Sequence, residues 1–396
     1  MTSSASNGEN KSLFERVEHP EGELPEDYPE GLMVDVPPEA RQGLAKIGEE
    51  FARAEVEVLR NTIVRMRPIY AGRAAYVSST PAVQSEFWRR VFAGAPNHVD
   101  SYVLPSDAEI LGQSLRTMTV ERFEVDENGA GEPRSVRLIL EFDPEENKWF
   151  NGDKIVKDFY WRKEVKKTKN GNRLSWEGLV SSPVRIPWKE GMDPTKGLLD
   201  AACDLADAEE KAKAGDAKLS LEKRKALPAF ETLVQKVSKL QVDEEGGDSD
   251  EDGEEPMTVQ SPAGMSFFAL FGYRGKDLTA EESKAAAKSD NERFEKMLKG
   301  EEVDLSDDED DDEDFYDDEW LEDAEIFPDG EELATAICDD LWPNAHKYYE
   351  QSFDVADDFD SDMDLADLVG LHGEDDDDEE GGEDDEEAPP RKKART

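Results

Sequence analysis

Carboxylates dominate the reactive side chains of this chain, and the other groups able to do chemistry are few and scattered. The four histidines, His19, His98, His346 and His372, share no metal-ligand spacing and form no HExxH pattern. Cys203 and Cys338 lie in no CxxC pair, and two thiols make no disulfide framework, which suits a reducing compartment. There is no Walker loop and no dinucleotide glycine fingerprint. Asp248, Asp250, Asp252 and Gly253 imitate the start of an EF-hand loop, but the twelfth position is Val259 where a bidentate Glu is needed. A catalytic acid or base needs a pocket that tunes it, and carboxylates in solvated runs have none. The expectation is a binding protein with no enzymatic activity, cofactor or metal.

The charge shows what such a protein would bind. The 396 residues carry 98 Asp and Glu against 47 Lys and Arg, a net charge of −51. Residues 301–396 hold 42 acids and 5 bases, a net of −37, which leaves −14 for residues 1–300. Three runs concentrate the acids: nine in residues 243–256, 12 in residues 304–319 and 12 in residues 374–387. Such a chain repels nucleic-acid phosphates and anionic membranes, so strong direct DNA binding is not expected. A strongly basic protein is the expected partner. It would exchange its counterions for these carboxylates, with fast and salt-sensitive association.

No stretch approaches the roughly 20 apolar residues that cross a bilayer, and the N-terminus lacks the pattern of a secretory signal. Arg391, Lys392, Lys393 and Arg395 form a compact basic cluster suited to an import receptor, which points to the nucleus with shuttling to the cytoplasm. A counter-charge for the polyacid is the other reading of that cluster. Ser249 and Ser306 precede acidic residues, a setting in which phosphorylation would deepen the charge. Eight bases between Lys154 and Arg173 suggest a positive hairpin, either a solvated tip or a contact surface.

The elements that would position these charges follow from periodicity. Residues 1–36, rich in Pro, Glu, Ser and Gly, read as a flexible arm. Residues 37–80 read as a long helix. One apolar stripe is Leu44, Ile47, Phe51, Ala54 and Val58, and a phase-shifted one includes Val56, Leu59, Ile63, Met66 and Tyr70. Thirty-nine helical residues would span about 58 Å, too long to bury a stripe within one subunit. Pairing with a second copy, parallel or antiparallel, is the simplest solution. A helical hairpin broken near Pro68 or Gly72 is the alternative. The expected seam is Leu44, Ile47, Phe51, Ala54, Val58, Ile63 and Met66.

Residues 81–355 then read as one α+β domain. Its four or five antiparallel strands lie near 116–124, 135–142, 155–165, 173–180 and, as the fifth, 184–188, and helices cover the sheet. A highly charged helical stretch follows at 197–240, broken by Pro228. Residues 320–353 read as a single helix, and 356–396 as an acidic disordered tail.

Several strings, in order, are similar to the nucleosome assembly protein family. Arg67-Pro68-Ile69-Tyr70-Ala71-Gly72-Arg73 resembles its xPLYxxR near the end of the dimerisation helix, and Ser85-Glu86-Phe87-Trp88 its IPxFW. Residues 107–111 resemble DExIL at the start of the sheet. Residues 138–142 and 147–152 resemble LEFxF…NxYFxN, residues 186–191 IDWKxGK, and residues 266–271 SFFNFF. The resemblance implies an obligate dimer joined by the long helix, with an acidic concave surface that binds core histones. Glu331, Glu332, Asp339 and Asp340, with tail residues Asp375, Asp376, Asp377 and Asp378, are the implied contacts. Residues 197–260 stand as a charged insertion, and accessory helices after Val77 are absent.

The expected function is therefore a homodimeric histone chaperone that shields core histones and delivers them to DNA in nucleosome assembly and disassembly. An inhibitor or scaffold like the related SET-type proteins, or a generic acidic carrier of basic proteins, remains open. The preferred histone pair stays open as well.

Overall fold

The computed structural model describes residues 38–167, 173–213, 218–245, 266–303 and 323–362. Helix α1, Pro38–Ser79, is one uninterrupted element of 42 residues with Pro68 inside it. At 1.5 Å per residue it is about 63 Å long. The hairpin alternative is thereby excluded. Proline at the first position costs nothing because that amide has no helical partner. Short helices α2 (Pro81–Gln84), α3 (Phe87–Ala93), α4 (Asn97–Asp100) and α5 (Pro105–Ser114) lead into the sheet.

The sheet has four antiparallel strands in the order β1-β2-β3-β4: Leu115–Glu121, Val136–Phe142, Lys154–Lys167 and Arg173–Ser181. Strict alternation in β2 buries Val136, Leu138, Leu140 and Phe142 and turns Arg137, Ile139 and Glu141 outward. On that outer face Arg137 makes two hydrogen bonds to Asp158, and Glu141 accepts from Thr117 and Lys154. The expected fifth strand is not one. Residues 184–188 run extended, Val184 N–H donates to Phe271 O at 2.8 Å, and a single bridge joins Trp188 to Phe150.

Helices α6 (Leu198–Lys213), α7 (Leu221–Lys225) and α8 (Pro228–Glu245) come from the stretch expected as a charged insertion. Instead of hanging off the domain, they complete it. Leu198, Leu199, Ala202, Leu205, Phe230 and Leu233 are all part of the core. The centre of that core is a 3-10 helix, Phe267–Gly272, every residue of which is buried. Helix α9, Ala280–Leu298, begins at a capping box in which Thr279 and Glu282 satisfy each other's backbone amides. The expected helix over 320–353 is three pieces: α10 (Gly330–Ala336), a π-turn (Ile337–Leu341) and α11 (Ala345–Asp362), with Pro343 in the break.

Residues 107–111, expected to open the sheet, form part of α5, and Asp107 does structural work there. Its buried carboxylate accepts from Ser266 Oγ at 2.5 Å, Phe267 N at 2.7 Å and Leu104 N at 3.0 Å. Those bonds pin the buried 3-10 helix to α5 and cap α5 itself. Burial still pushes the Asp107 carboxyl above its ordinary range. Lys157 is the second buried charge. Its ammonium donates to the carbonyls of Ser182 (2.8 Å), Phe271 (3.0 Å) and Tyr273 (2.6 Å), holding β3, β4 and the 3-10 helix together.

Two outcomes follow. Asp107→Ala leaves three donors unpaired, two of them buried, and should cost about 3 kcal/mol of stability in chemical denaturation, whereas a surface control such as Glu145→Ala should cost almost nothing. Burial pulls Lys157 down to about 7. The unfolded chain therefore binds the extra proton between about pH 7 and the ordinary lysine value, and stability rises with pH across that window. Lys157→Met should flatten that rise when unfolding free energy is measured from pH 6.5 to 10.

Candidate functional site

Helix α1 has two faces. Along one, polar side chains reach the chain's own domain. Arg53 donates to Asn291 Oδ1 at 2.8 Å and lies over the Phe294 ring of α9 at 4.3 Å. Arg60 donates to Gly131 O at 2.9 Å, and Arg67 to Asp126 O at 2.8 Å and Val125 O at 2.5 Å. With about 100° per residue, these positions share one side of the helix with half-buried Val56, Ile63 and Tyr70. About 160° away, the opposite side carries Leu44, Ile47, Phe51 and Val58, joined by Ile69 and Tyr76. All six are exposed, Phe51 at 65% and Tyr76 at 62%. An apolar face this long is what an unmet protein partner leaves behind.

Five of the seven expected seam residues, Leu44, Ile47, Phe51, Ala54 and Val58, lie on this outer face. Ile63 and Met66 do not. They are half-buried in the phase-shifted stripe that turns toward the domain, its centre about 120° around the helix from the first at 100° per residue.

The two layers meet at one joint. The Arg73 guanidinium sits 4.3 Å from the Trp342 ring centre and 5.1 Å from that of Tyr70, and donates to Trp342 O at 2.6 Å. Trp88 and Trp342 stack at 5.3 Å with planes 3° apart. Burial lowers Arg73 to about 10, which leaves it charged at neutral pH. Tyr70 and Arg73 come from the string that resembled the end of the dimerisation helix and Trp88 from the string that resembled IPxFW, so those two strings supply three members of the joint. Trp342 had no such string to mark it.

The expected carboxylate contacts fare differently from one another. Asp339 is ion-paired with Arg122. Asp340 accepts from Asn344 at 2.8 Å and Tyr348 at 2.7 Å, and lies 3.0 Å from His98 Nε2. Both hold the π-turn to the domain. Glu331 is half-buried, close enough to β4 that a Cβ on Gly178 would come within 2.8 Å of its Oε2. Glu332 is exposed, and with Asp329 it helps raise the Tyr102 hydroxyl above its ordinary value, after burial. Asp375 to Asp378, Arg391, Lys392, Lys393, Arg395, Ser249 and Ser306 lie outside the described residues. On α6, half-buried Asp200 and exposed Asp204 each approach Arg185 at 2.8 Å, and exposed Asp207 lies 3.4 Å away.

Several bases of the positive hairpin are taken up by the fold. Lys157 is buried, Lys154 meets Glu141 at 3.2 Å, and Asp290 of α9 pairs with both Lys163 and Arg173. Burial raises the Cys203 thiol to about 11 and the Cys338 thiol to about 12, so neither is a nucleophile at neutral pH. Among the described residues no cluster of three His, Cys, Asp or Glu could hold a metal, and no helix is long and apolar enough to cross a membrane.

A long two-faced helix carried on an α+β domain, with carboxylate-rich runs within and after that domain in the sequence, sets the class of fold. The chain belongs to the nucleosome assembly protein (NAP) family, whose profile matches residues 71–352, and this is a family of histone chaperones. A Schizosaccharomyces pombe protein named as a candidate nucleosome assembly protein is 29% identical over 153 residues, 39% of this chain. The chain spans 59% of that relative's length. The crystal structure of Ccp1 aligns with 80% of this chain and 96% of its own at 20% identity and a TM-score of 0.43. Nucleosome assembly protein S of Plasmodium falciparum aligns with 39% of this chain and 74% of its own at 20% identity and 0.26.

The joint makes a further outcome measurable. Arg73→Ala removes a half-buried cation and its carbonyl bonds, and should cost about 2 kcal/mol. Hydrogen exchange should then quicken in residues 66–79 and in α3, with little change in α9.

Proposed function

We propose that the protein is a homodimeric histone chaperone, which holds core histones on its acidic surfaces and releases them to DNA. The observation that carries this reading is the family profile, which spans the folded domain while acidic runs lie within and beyond it. No chemical step is required. Histone passes to DNA when DNA competes better for it, so direction follows from relative affinities. The domain plan under this reading is an arm at 1–36, the dimerisation helix at 37–80, the histone-binding domain at 81–355 and the acidic tail at 356–396.

The dimer forms through the outer face of α1. A side chain such as Phe51 gains about 1.5–3 kcal/mol on full burial, and several such residues recur along the helix. Glu331, Glu332 and Asp375 to Asp378 are the proposed histone contacts. Asp339 and Asp340 contribute by holding the surface that presents Glu332. The basic cluster at Arg391, Lys392, Lys393 and Arg395 would serve an import receptor, giving a nuclear protein that shuttles.

Binding of core histones to the full chain tests this, read by fluorescence titration at two salt concentrations with mass from light scattering. Tight binding by a dimer is expected, weakening steeply with salt. Ile47→Asp with Phe51→Asp should yield monomers of lower affinity. Equal affinity for an unrelated basic protein of matched charge would make the chain a generic polyanion carrier instead.

A further inference from the structure

Three hydroxyl residues of the chain stand directly before a proline: Thr80, Ser182 and Ser261. Three positions after each hydroxyl lie Val83, Arg185 and Gly264, so only Ser182-Pro183-Val184-Arg185 carries a base there. That is the pattern a proline-directed protein kinase reads. The proline ring enters an apolar pocket in which an ordinary N–H would be left unpaired, and the cation meets an acidic patch.

The fold presents these residues outward. The chain leaves β4 at Ser181 and runs without helix or turn through 182–187. Ser182 is exposed, whereas its neighbour Ser181 is half-buried and donates to Asp158 O at 2.6 Å. Arg185 is exposed as well. Its bonds to Asp200, Asp204 and Asp207 are surface ion pairs of the kind that contribute little, so the carboxylates of a kinase can compete for it.

Ser182 also borders a hollow of about 310 Å³, lined by four cations, Arg162, Lys213, Arg274 and Lys276, and by three carboxylates, Glu209, Glu210 and Asp277. A cationic excess stands out on a chain of net charge −51. Three of the cations are committed. Arg274 grips Glu209 at 2.5 Å, Lys276 lies 3.0 Å from Glu164, and Arg162 lies 3.3 Å from Glu124. Lys213, in the last turn of α6, reaches Glu210 only at 3.9 Å and swings on a flexible four-carbon stem. A phosphate carries a charge of about −1.5 to −2 and three acceptor oxygens, and so outcompetes one carboxylate for it.

We propose that Ser182 is the target of a proline-directed kinase and that its phosphate is seated in this hollow by Lys213. In the transfer the Ser182 hydroxyl oxygen bonds to the γ-phosphorus of ATP while the bond from that phosphorus to the bridging oxygen breaks. ADP leaves, and the hydroxyl proton passes to the base of the kinase. The seated phosphate ties the exit of β4 to the end of α6. The proposal stands apart from the dimer and from histone binding.

Incubation of the full chain with a cyclin-dependent kinase and ATP tests it, the phosphate being located by mass spectrometry. Ser182 should be modified about tenfold faster than Thr80 or Ser261, and Arg185→Ala should remove most of that advantage. A peptide of residues 178–189 controls for the fold. Modification of the peptide but not of the folded chain, or of Thr80 or Ser261 in preference, would overturn the site. The seat is read by phosphorus NMR. In so acidic a chain an unseated phosphate titrates above its ordinary value of about 6, because like charges oppose its second ionisation, whereas an adjacent cation pulls it below. A midpoint below about 6 that climbs by roughly half a unit in Lys213→Ala is expected. A midpoint above the ordinary value, or one indifferent to Lys213→Ala, would overturn the seat.

Discussion

A helix of about 63 Å carried by a domain too small to cover both its sides is the constraint on which the rest of the structure depends. One side is occupied: arginines and half-buried apolar residues seat it on the loop at 125–131, on α9 and on the Trp88–Trp342 joint. The other side is left apolar and exposed to solvent. Several of the described elements after Val77 hold that helix in place. The stacked tryptophans fix its end, α9 braces its start against the β3–β4 hairpin through Asp290 and Asn291, and the buried 3-10 helix locks the domain beneath.

Within the domain, charge is used in two ways that the net value of −51 conceals. Some carboxylates are consumed by the fold. Asp107 clamps the 3-10 helix, Glu209 bridges Arg224 and Arg274, Asp290 serves two strands, and Asp339 and Asp340 hold the π-turn. Others, such as Glu332, stay in solvent. Only the second kind is available to a basic partner, and counting acids in a sequence cannot separate the two.

The strands and the long helix were legible because their periods are long and regular: β2 alternates without fault, and α1 repeats over eleven turns. The joint was legible as motif but not as purpose, since Tyr70, Arg73 and Trp88 gain meaning only when Trp342 arrives from far along the chain. Helix α9 escaped because its buried stripe is sparse, Ala286, Asp290 and Met297, so its apolar signal is weak. Its capping box, Thr279 with Glu282, was the signal that could have revealed it. The charged stretch at 197–240 misled for the opposite reason. Its many Lys and Glu residues drew attention from Leu198, Leu205, Phe230 and Leu233, which close the core. Ile63 and Met66 turn toward the domain, and two stripes about 120° apart on one helix look alike until a domain occupies one of them.

The seating of α1 on the loop at 125–131 has an unusual chemical character. Arg60 and Arg67 donate to main-chain oxygens of Val125, Asp126 and Gly131, and a main-chain oxygen is present whichever residue supplies it. The helix thus recognises the path of that loop more than its spelling. The turn itself is kept by Asp126, whose carboxylate accepts from the amides of Asn128 and Ala130, and by Gly129 and Gly131 at φ 82° and 119°; a Cβ on Gly131 would fall 1.8 Å from Glu124 O. A domain fastened in this way can diversify the surface it shows to partners without loosening its hold on the shaft that carries it.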